Sequence, residues 1–311
     1  MYTIINDVIE SVEKVIIGKR EVIEKLLVAL LSNGHVLIED IPGVGKTQLA
    51  AALARSLNGD FNRIQFTPDV MPSDITGFFM YNQDTKKFYY HKGAAICNFL
   101  LVDEINRTSP KTQSSLLEIM EEFQVTVDGK TFPLPKPFMV LATQNPIESS
   151  GTYPLPEAQM DRFFLKISLG YPSKGEEKKI LDRFEINNPL QDLNGVVTTE
   201  NILNLQEEVK GVKVHDGLKN YIVSIAEATR NSPHVVLGIS PRGSINLLKA
   251  SKAWAFIKGR RYVIPDDIKE IAPHVLSHRI ITKPGKNING EEIIRQIINS
   301  ITVPVFQRDI I

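Results

Sequence analysis

A single cysteine, Cys97, stands in the 311 residues, so the chain has no internal disulfide and no cysteine-based zinc site. Net charge is missing too. The 36 Lys and Arg balance the 36 Asp and Glu, which argues against the single-sign field that holds nucleic acid or an anionic membrane. The densest basic cluster, Lys249, Lys252, Lys258, Arg260 and Arg261, lies on or just after an amphipathic helical pattern, where a solvated face explains it better than a binding patch. No apolar run approaches the length that crosses a bilayer, and the opening Met1-Tyr2-Thr3-Ile4-Ile5-Asn6-Asp7 lacks the basic region of a secretion signal. These absences predict a cytoplasmic protein in reducing surroundings that neither enters membranes nor binds nucleic acid as its main task. The length suits two domains, and a 42% hydrophobic content can fill their cores.

What the sequence does have is Val36-Leu37-Ile38-Glu39-Asp40-Ile41-Pro42-Gly43-Val44-Gly45-Lys46-Thr47, an apolar strand that runs into a glycine-bearing loop and then a helix. This reads as a phosphate cradle. Gly43 and Gly45, on either side of Val44, free the backbone to turn successive N–H groups around an anion. Lys46 would reach the β- and γ-phosphates, and the Thr47 hydroxyl would ligate Mg²⁺ at the head of a helix expected over 48–57, starting at Gln48. ATP and Mg²⁺ are the expected cofactors. Asp40 stands where the pattern G-x-x-x-x-G-K-[ST] has its first glycine. Asp tolerates left-handed backbone angles, so the loop is expected to close, with a carboxylate near the phosphates that weakens binding.

Before this loop, residues 3–15 and 20–32 carry apolar positions at helical spacing, broken by Gly18. The turn Ile16-Ile17-Gly18 offers an apolar edge to an adenine ring, though plain helix packing explains it equally well. After the loop a strand at 63–66 completes a βαβ unit. Residues 67–97 then interrupt the alternation with an inserted aromatic hairpin near 68–95, turning at Asn82-Gln83-Asp84-Thr85, whose rings meet either a partner or their own scaffold. A strand at 98–104 ends in Asp103 and Glu104, where α/β sheets place their ligands. There Asp103 would hold the metal's hydration shell and Glu104 would orient or deprotonate the attacking water. Ser109-Pro110 starts a helix to about 122, and Asp128-Gly129 turns a second hairpin near 123–134. A buried strand at 138–143 delivers Asn145, a candidate for holding the γ-phosphate or the lytic water if that strand lies beside the acidic one. A helix over 155–163 ends at Arg162, which by itself reads as a cap or a partner of Asp161. After Tyr171-Pro172 the pattern is helices only, over 175–184, 199–210, 216–229, 241–258, 265–276 and 291–302. We therefore expect a nucleotide-binding domain over 1–186 and a helical lid over 187–311, with Arg242 in the first turn of a lid helix where it could swing toward a nucleotide held between the domains.

Three segments, Asp103-Glu104-Ile105-Asn106-Arg107, Ala142-Thr143-Gln144-Asn145-Pro146-Ile147-Glu148 and Gly151-Thr152-Tyr153-Pro154-Leu155-Pro156-Glu157-Ala158-Gln159-Met160-Asp161-Arg162-Phe163, together resemble the MoxR family of AAA+ ATPases, and the likeness extends over nearly the whole chain. The resemblance implies an α/β fold: a P-loop NTPase core, with a parallel sheet sandwiched by helices, and a C-terminal all-α lid. It implies that Lys46 and Thr47 bind phosphates and Mg²⁺, that Asp103 and Glu104 form the Walker B pair, and that Asn145 is sensor 1. Arg162 would be the finger supplied to a neighbouring subunit and Arg242 sensor 2. Ala94-Ala95 departs from the Gly-Pro common in that family. The function implied is Mg-dependent ATP hydrolysis by a homo-oligomeric, hexameric ring that acts as a chaperone-like remodeller of a protein client, one carrying a von Willebrand factor A domain. The alternatives are a magnesium-chelatase-type ATPase subunit, a nucleic-acid motor, against which the neutral charge counts, and a nucleotide-gated assembly module that barely turns over, against which an intact Glu104 counts.

Overall fold

The computed structural model describes residues 2–146, 152–283 and 289–304. Ile147, Glu148 and Gly151 of the resemblance therefore lie outside the described residues. Two amphipathic helices come first, α1 (Tyr2–Glu13) and α2 (Arg20–Leu31), and they bury Ile5, Val8, Ile9 and Val12, then Ile23, Leu26, Leu27 and Leu30. Strand β1 (Val36–Glu39) leads through the glycine loop to α3 (Lys46–Ser56), which starts two residues earlier than its pattern suggested, and then to β2 (Phe61–Gln65). A short α4 (Pro72–Thr76) opens the first insertion, the antiparallel hairpin β3 (Gly77–Asn82) and β4 (Lys87–Lys92). Strand β5 (Phe99–Asp103) is followed by α5 (Pro110–Glu122), capped by Ser109 Oγ accepting from Thr112 N–H at 3.3 Å. The second hairpin, β6 (Gln124–Val127) with β7 (Lys130–Pro133), precedes β8 (Met139–Gln144).

The expected helix over 155–163 shrinks to α6 (Glu157–Met160), because Pro156 holds an extended ψ of 150° and cannot continue a helix backward. Strand β9 (Leu165–Ile167) closes the sheet, whose order is β2-β5-β8-β1-β9, all parallel. Alternation along the strands divides the core in two. Val36, Ile38, Phe99, Leu101, Met139 and Leu141 face the α1–α3 side, while Leu37, Leu100, Val102, Val140 and Ala142 face α5. The Asn145 strand thus lies between the acidic strand and the strand that feeds the glycine loop.

Beyond the sheet come α7 (Lys174–Ile186), α8 (Thr199–Lys210), α9 (Asp216–Asn231), β10 (Val235–Leu237), α10 (Pro241–Ile257), α11 (Pro265–Leu276), β11 (Ile281–Thr282) and α12 (Gly290–Ser300). The C-terminal part is therefore not helices only. Strands β10 and β11 form a two-stranded antiparallel pair, too short for a period-2 pattern to show. Ser173, Thr198 and Ser240 cap α7, α8 and α10 through their hydroxyls. Helix α2 packs on α8 and α10, so the C-terminal helices share the apolar core of the first side of the sheet. Three of the five cluster residues are paired with acids, Lys258 with Glu24, Arg260 with Asp267 and Arg261 with Glu208, and Lys252 donates to the Lys210 carbonyl. The first hairpin divides its aromatics. Tyr90 stacks on Phe132 of β7 at 4.2 Å and Phe79 packs beside it, whereas Met80, Tyr81, Phe88 and Tyr89 stand exposed.

Candidate nucleotide site

Two sets of residues gather at opposite edges of the sheet. At the carboxyl edge, Gly43 and Gly45 take left-handed φ values of 84° and 93°, which residues with a Cβ rarely adopt, and a Cβ on either would meet nothing within 4 Å. The space above the loop is open and the loop's curvature is set by backbone freedom. Lys46 Nζ donates to the Asp40 carbonyl at 2.8 Å. Burial pushes its ammonium below the usual lysine value, opposed by the charges of Asp40, Asp103 and Glu104. Val44, Thr47 and Gln48 are half-buried around it, and Pro42 is exposed.

Asp40 departs from expectation. It does not adopt a positive φ, so its position needs no glycine. Its carboxylate turns away from the open side of the loop and accepts from the Ser168 hydroxyl and from the Leu169 and Gly170 N–H groups. The anticipated repulsion of phosphate by this carboxylate is not what the geometry provides.

Asp103 ends β5 and Glu104 follows it at φ 57°, a strained left-handed angle for a residue with a Cβ. Asp103 Oδ2 accepts from Arg63 Nε at 2.7 Å, and its Oδ1 accepts from Thr143 Oγ1 at 3.2 Å. The same Thr143 oxygen accepts from Glu104 N–H at 2.9 Å, which locks the acidic strand end to β8. Glu104 Oε2 accepts from Gln65 Nε2 at 2.7 Å and from Arg107 at 2.9 Å. The buried Asn145 continues from β8 at the same edge. Sequence reading missed Arg63, Gln65, Arg107 and Thr143. Arg63 and Gln65 alternate on one face of β2, but only the register Gln65 against Asp103 shows that this face reaches the acidic pair.

Ile17 and Gly18 form the turn between α1 and α2, with Gly18 at φ 73°. A Cβ there would lie 1.6 Å from Glu176 Oε1, so the Glu176 side chain of α7 covers the glycine. Lys19 Nζ donates to the Tyr171 carbonyl at 3.0 Å beside it.

At the amino edge, Arg162 precedes β9 and Arg242 lies in the first turn of α10, and both face Glu121 at the end of α5. The distances are 3.4 Å from Arg162 to Oε2 and 2.8 Å from Arg242 to Oε1. They line a cleft of about 500 Å³ with Asn33, Gly34, His35, Phe164 and Lys249. Asn33 to His35 precede β1 whereas the glycine loop follows it, and β9 runs parallel to β1, so the four-residue strand, roughly 13 Å, separates the two edges. Arg242 therefore lies away from the loop of its own chain, on Glu121. Nor does Arg162 pair with Asp161. Asp161 instead holds the buried Arg279 at 2.7 Å and accepts from Ser240 Oγ at 3.3 Å, which fastens the C-terminal helices to the sheet. Burial pushes the Arg279 guanidinium down to about 10, with Asp161 pulling it back up.

Known proteins resemble this chain over most of its length. Residues 35–165 match the ATPase family associated with various cellular activities (AAA), and 227–297 match an AAA lid domain. The uncharacterised protein YeaC of Bacillus subtilis is 51% identical over 98% of this chain and 96% of its own length. Chaperone MoxR1 of Mycobacterium tuberculosis is 43% identical over 94% of this chain and 81% of its own. A crystal structure of a protein assigned as an ATPase, from Cytophaga hutchinsonii, superposes with a TM-score of 0.92 at 40% identity, covering 98% of this chain and 96% of that one.

Proposed function

Because this chain belongs to the MoxR family of AAA+ ATPases, we propose that it hydrolyses Mg-ATP as a homo-oligomeric ring, hexameric as in the family resemblance, and that it spends the cycle on remodelling a protein client in the cytoplasm. The observation that carries the ring is the separation of the two edges. The phosphate loop and the acidic pair sit at one edge, while Arg162 and Arg242 are gathered on Glu121 at the other, so neither arginine serves the chain's own loop. A neighbour's nucleotide brings both into use. We place the nucleotide-binding domain at 1–186 and the lid at 187–311. The relative named as a chaperone and the exposed rings of the β3–β4 hairpin support a protein client, and the resemblance suggests one with a von Willebrand factor A domain.

In this reading Lys46 exchanges the Asp40 carbonyl for the β- and γ-phosphates, and the open Gly43–Gly45 loop offers them its N–H groups. Thr47 at the head of α3 and Asp103 at the end of β5 fit a Mg²⁺ ion in donor type, a hydroxyl and a carboxylate being the hard oxygen ligands it takes directly or through its waters. When bound, the metal offsets charge on the phosphates. Glu104 takes the proton of the attacking water as Gln65 and Arg107 give up its oxygen, Asn145 orients that water or the γ-phosphate, and Ile17-Gly18 edges the base. The pairing of Lys258, Arg260 and Arg261 with acids counts against a nucleic-acid motor.

Complementation tests the ring. Lys46→Ala cannot bind ATP but keeps its arginines, whereas Arg162→Ala binds ATP but offers no finger. Each is expected to be inactive alone, and mixed oligomers should regain part of the activity, because such a finger is worth roughly three to five orders of magnitude in related phosphoryl transfers. Full activity of Arg162→Ala, or no recovery in demonstrably mixed oligomers, would end the trans-acting reading.

A further inference from the structure

The residue that breaks the usual loop pattern is buried, and both ends of it are occupied. Asp40 Oδ2 accepts from Ser168 Oγ at 3.1 Å, from Leu169 N–H at 2.5 Å and from Gly170 N–H at 2.9 Å. Its Oδ1 accepts from Ile41 N–H at 3.1 Å, and its backbone carbonyl receives Lys46 Nζ at 2.8 Å. A glycine at this position would keep the carbonyl contact and lose every side-chain one.

The partners of that carboxylate are not an arbitrary stretch. Residues 168–172 are the connector from β9 to α7, the segment by which the chain leaves the sheet. Gly170 turns there at φ 62°, and the Tyr171 carbonyl accepts from Lys19 Nζ at 3.0 Å. Ser173 caps α7, whose Glu176 covers Gly18. The phosphate loop, the connector and the Ile17-Gly18 turn are thus joined in one run of contacts, and the Asp40 carboxylate is its link to the loop.

We propose that Asp40 is a positioning residue for nucleotide binding: its carboxylate latches the phosphate loop to the connector and so sets the pose of the loop and of the Ile17-Gly18 turn together. A carboxylate that accepts several N–H and O–H donors is held by charge-assisted hydrogen bonds, which are stronger than neutral ones, and its charge lies beside the Lys46 ammonium. This inference rests on the reading of Lys46 as the phosphate ligand.

The latch and simple charge repulsion predict opposite signs. If Asp40 repelled phosphate, Asp40→Gly would tighten ATP binding. If it latches the loop, losing a set of charge-assisted hydrogen bonds weakens binding by about tenfold and raises KM for ATP with kcat little changed. Asp40→Asn keeps one acceptor oxygen toward the connector and recovers most of the loss. The readouts are titration with a fluorescent ATP analogue, steady-state kinetics, and the rate of trypsin cleavage at the exposed Lys174 just past the connector, which should rise in Asp40→Gly. Circular dichroism checks the fold. Should the glycine variant fail to fold, Asp40→Asn decides alone, since the latch predicts slightly weaker binding and repulsion predicts tighter. Equal or tighter binding in either folded variant overturns the proposal. Lys46→Ala runs in parallel: if it too binds normally, the phosphate-loop reading has failed, and if it alone loses binding, only the role of Asp40 has.

Discussion

Mild acid should lower the stability of the fold through His35, the imidazole that bridges β8 and the end of α5 that holds Glu121. This imidazole is buried at the foot of the cleft. Its Nδ1 accepts from Val140 N–H at 3.0 Å, which leaves the proton on Nε2, 2.9 Å from the Met120 carbonyl next to Glu121. Burial lowers its pKa from 6.5 to about 4, despite the carbonyl pulling the other way. A folded pKa below the unfolded one means that the unfolded chain takes up the proton first. The contribution is therefore fully present above pH 6.5 and lost as the pH falls toward 4. Between pH 7.5 and pH 5 the linkage amounts to about 2 kcal/mol from this one group. His35→Leu should cost roughly 1–3 kcal/mol at pH 7.5, because the Val140 N–H and the Met120 carbonyl lose their partner. At pH 5 that gap to the wild type should shrink by about 2 kcal/mol, since the leucine cannot be protonated. Urea unfolding of both proteins at the two pH values measures it, and His274 and His278, which burial also depresses, titrate in both and cancel. A gap that stays constant with pH would refute the assignment of His35 as a buried neutral imidazole.

Glu104→Gln should bind ATP about as well as the wild type and hydrolyse it roughly 10² to 10⁴ times more slowly, since an amide cannot take the water's proton; near-normal turnover in steady state would remove Glu104 from that role. Asp161→Ala should lower stability by roughly 2–4 kcal/mol, because it leaves the Arg279 guanidinium buried without its counter-charge. A melting temperature unmoved by that change would show that the carbonyls of Phe163, Phe164 and Val275 suffice to hold Arg279.

Local chemistry was readable from the chain because it is written in consecutive residues. The glycine loop from Gly43 to Lys46, the apolar runs ending at Asp103 and near Asn145, the Ser109-Pro110 and Ser240-Pro241 helix starts and the Asp128-Gly129 turn each depend on backbone preferences that a neighbour or two determine. Helical spacing likewise placed α1, α2 and α8 to α12 close to where they fold. The short β10–β11 pair escaped because two or three residues carry no period, and the helix before Arg162 was overestimated because Pro156 cannot continue one.

What only the tertiary structure decided concerns partners far apart in sequence. Asp40 looked like a charge beside phosphate, yet its carboxylate answers to residues 128–130 positions downstream, which no local pattern can announce. Arg162 had a plausible partner in the adjacent Asp161, but that acid is claimed by Arg279, 118 positions away. Arg242 read as a first-turn residue able to swing toward a nucleotide held between the domains, and the fold sets it on Glu121 at the far edge of the sheet. A residue's type and spacing determine which interactions it can make. Which of them it does make depends on the competitors the fold brings within 3–4 Å of it, and that choice belongs to the assembled structure.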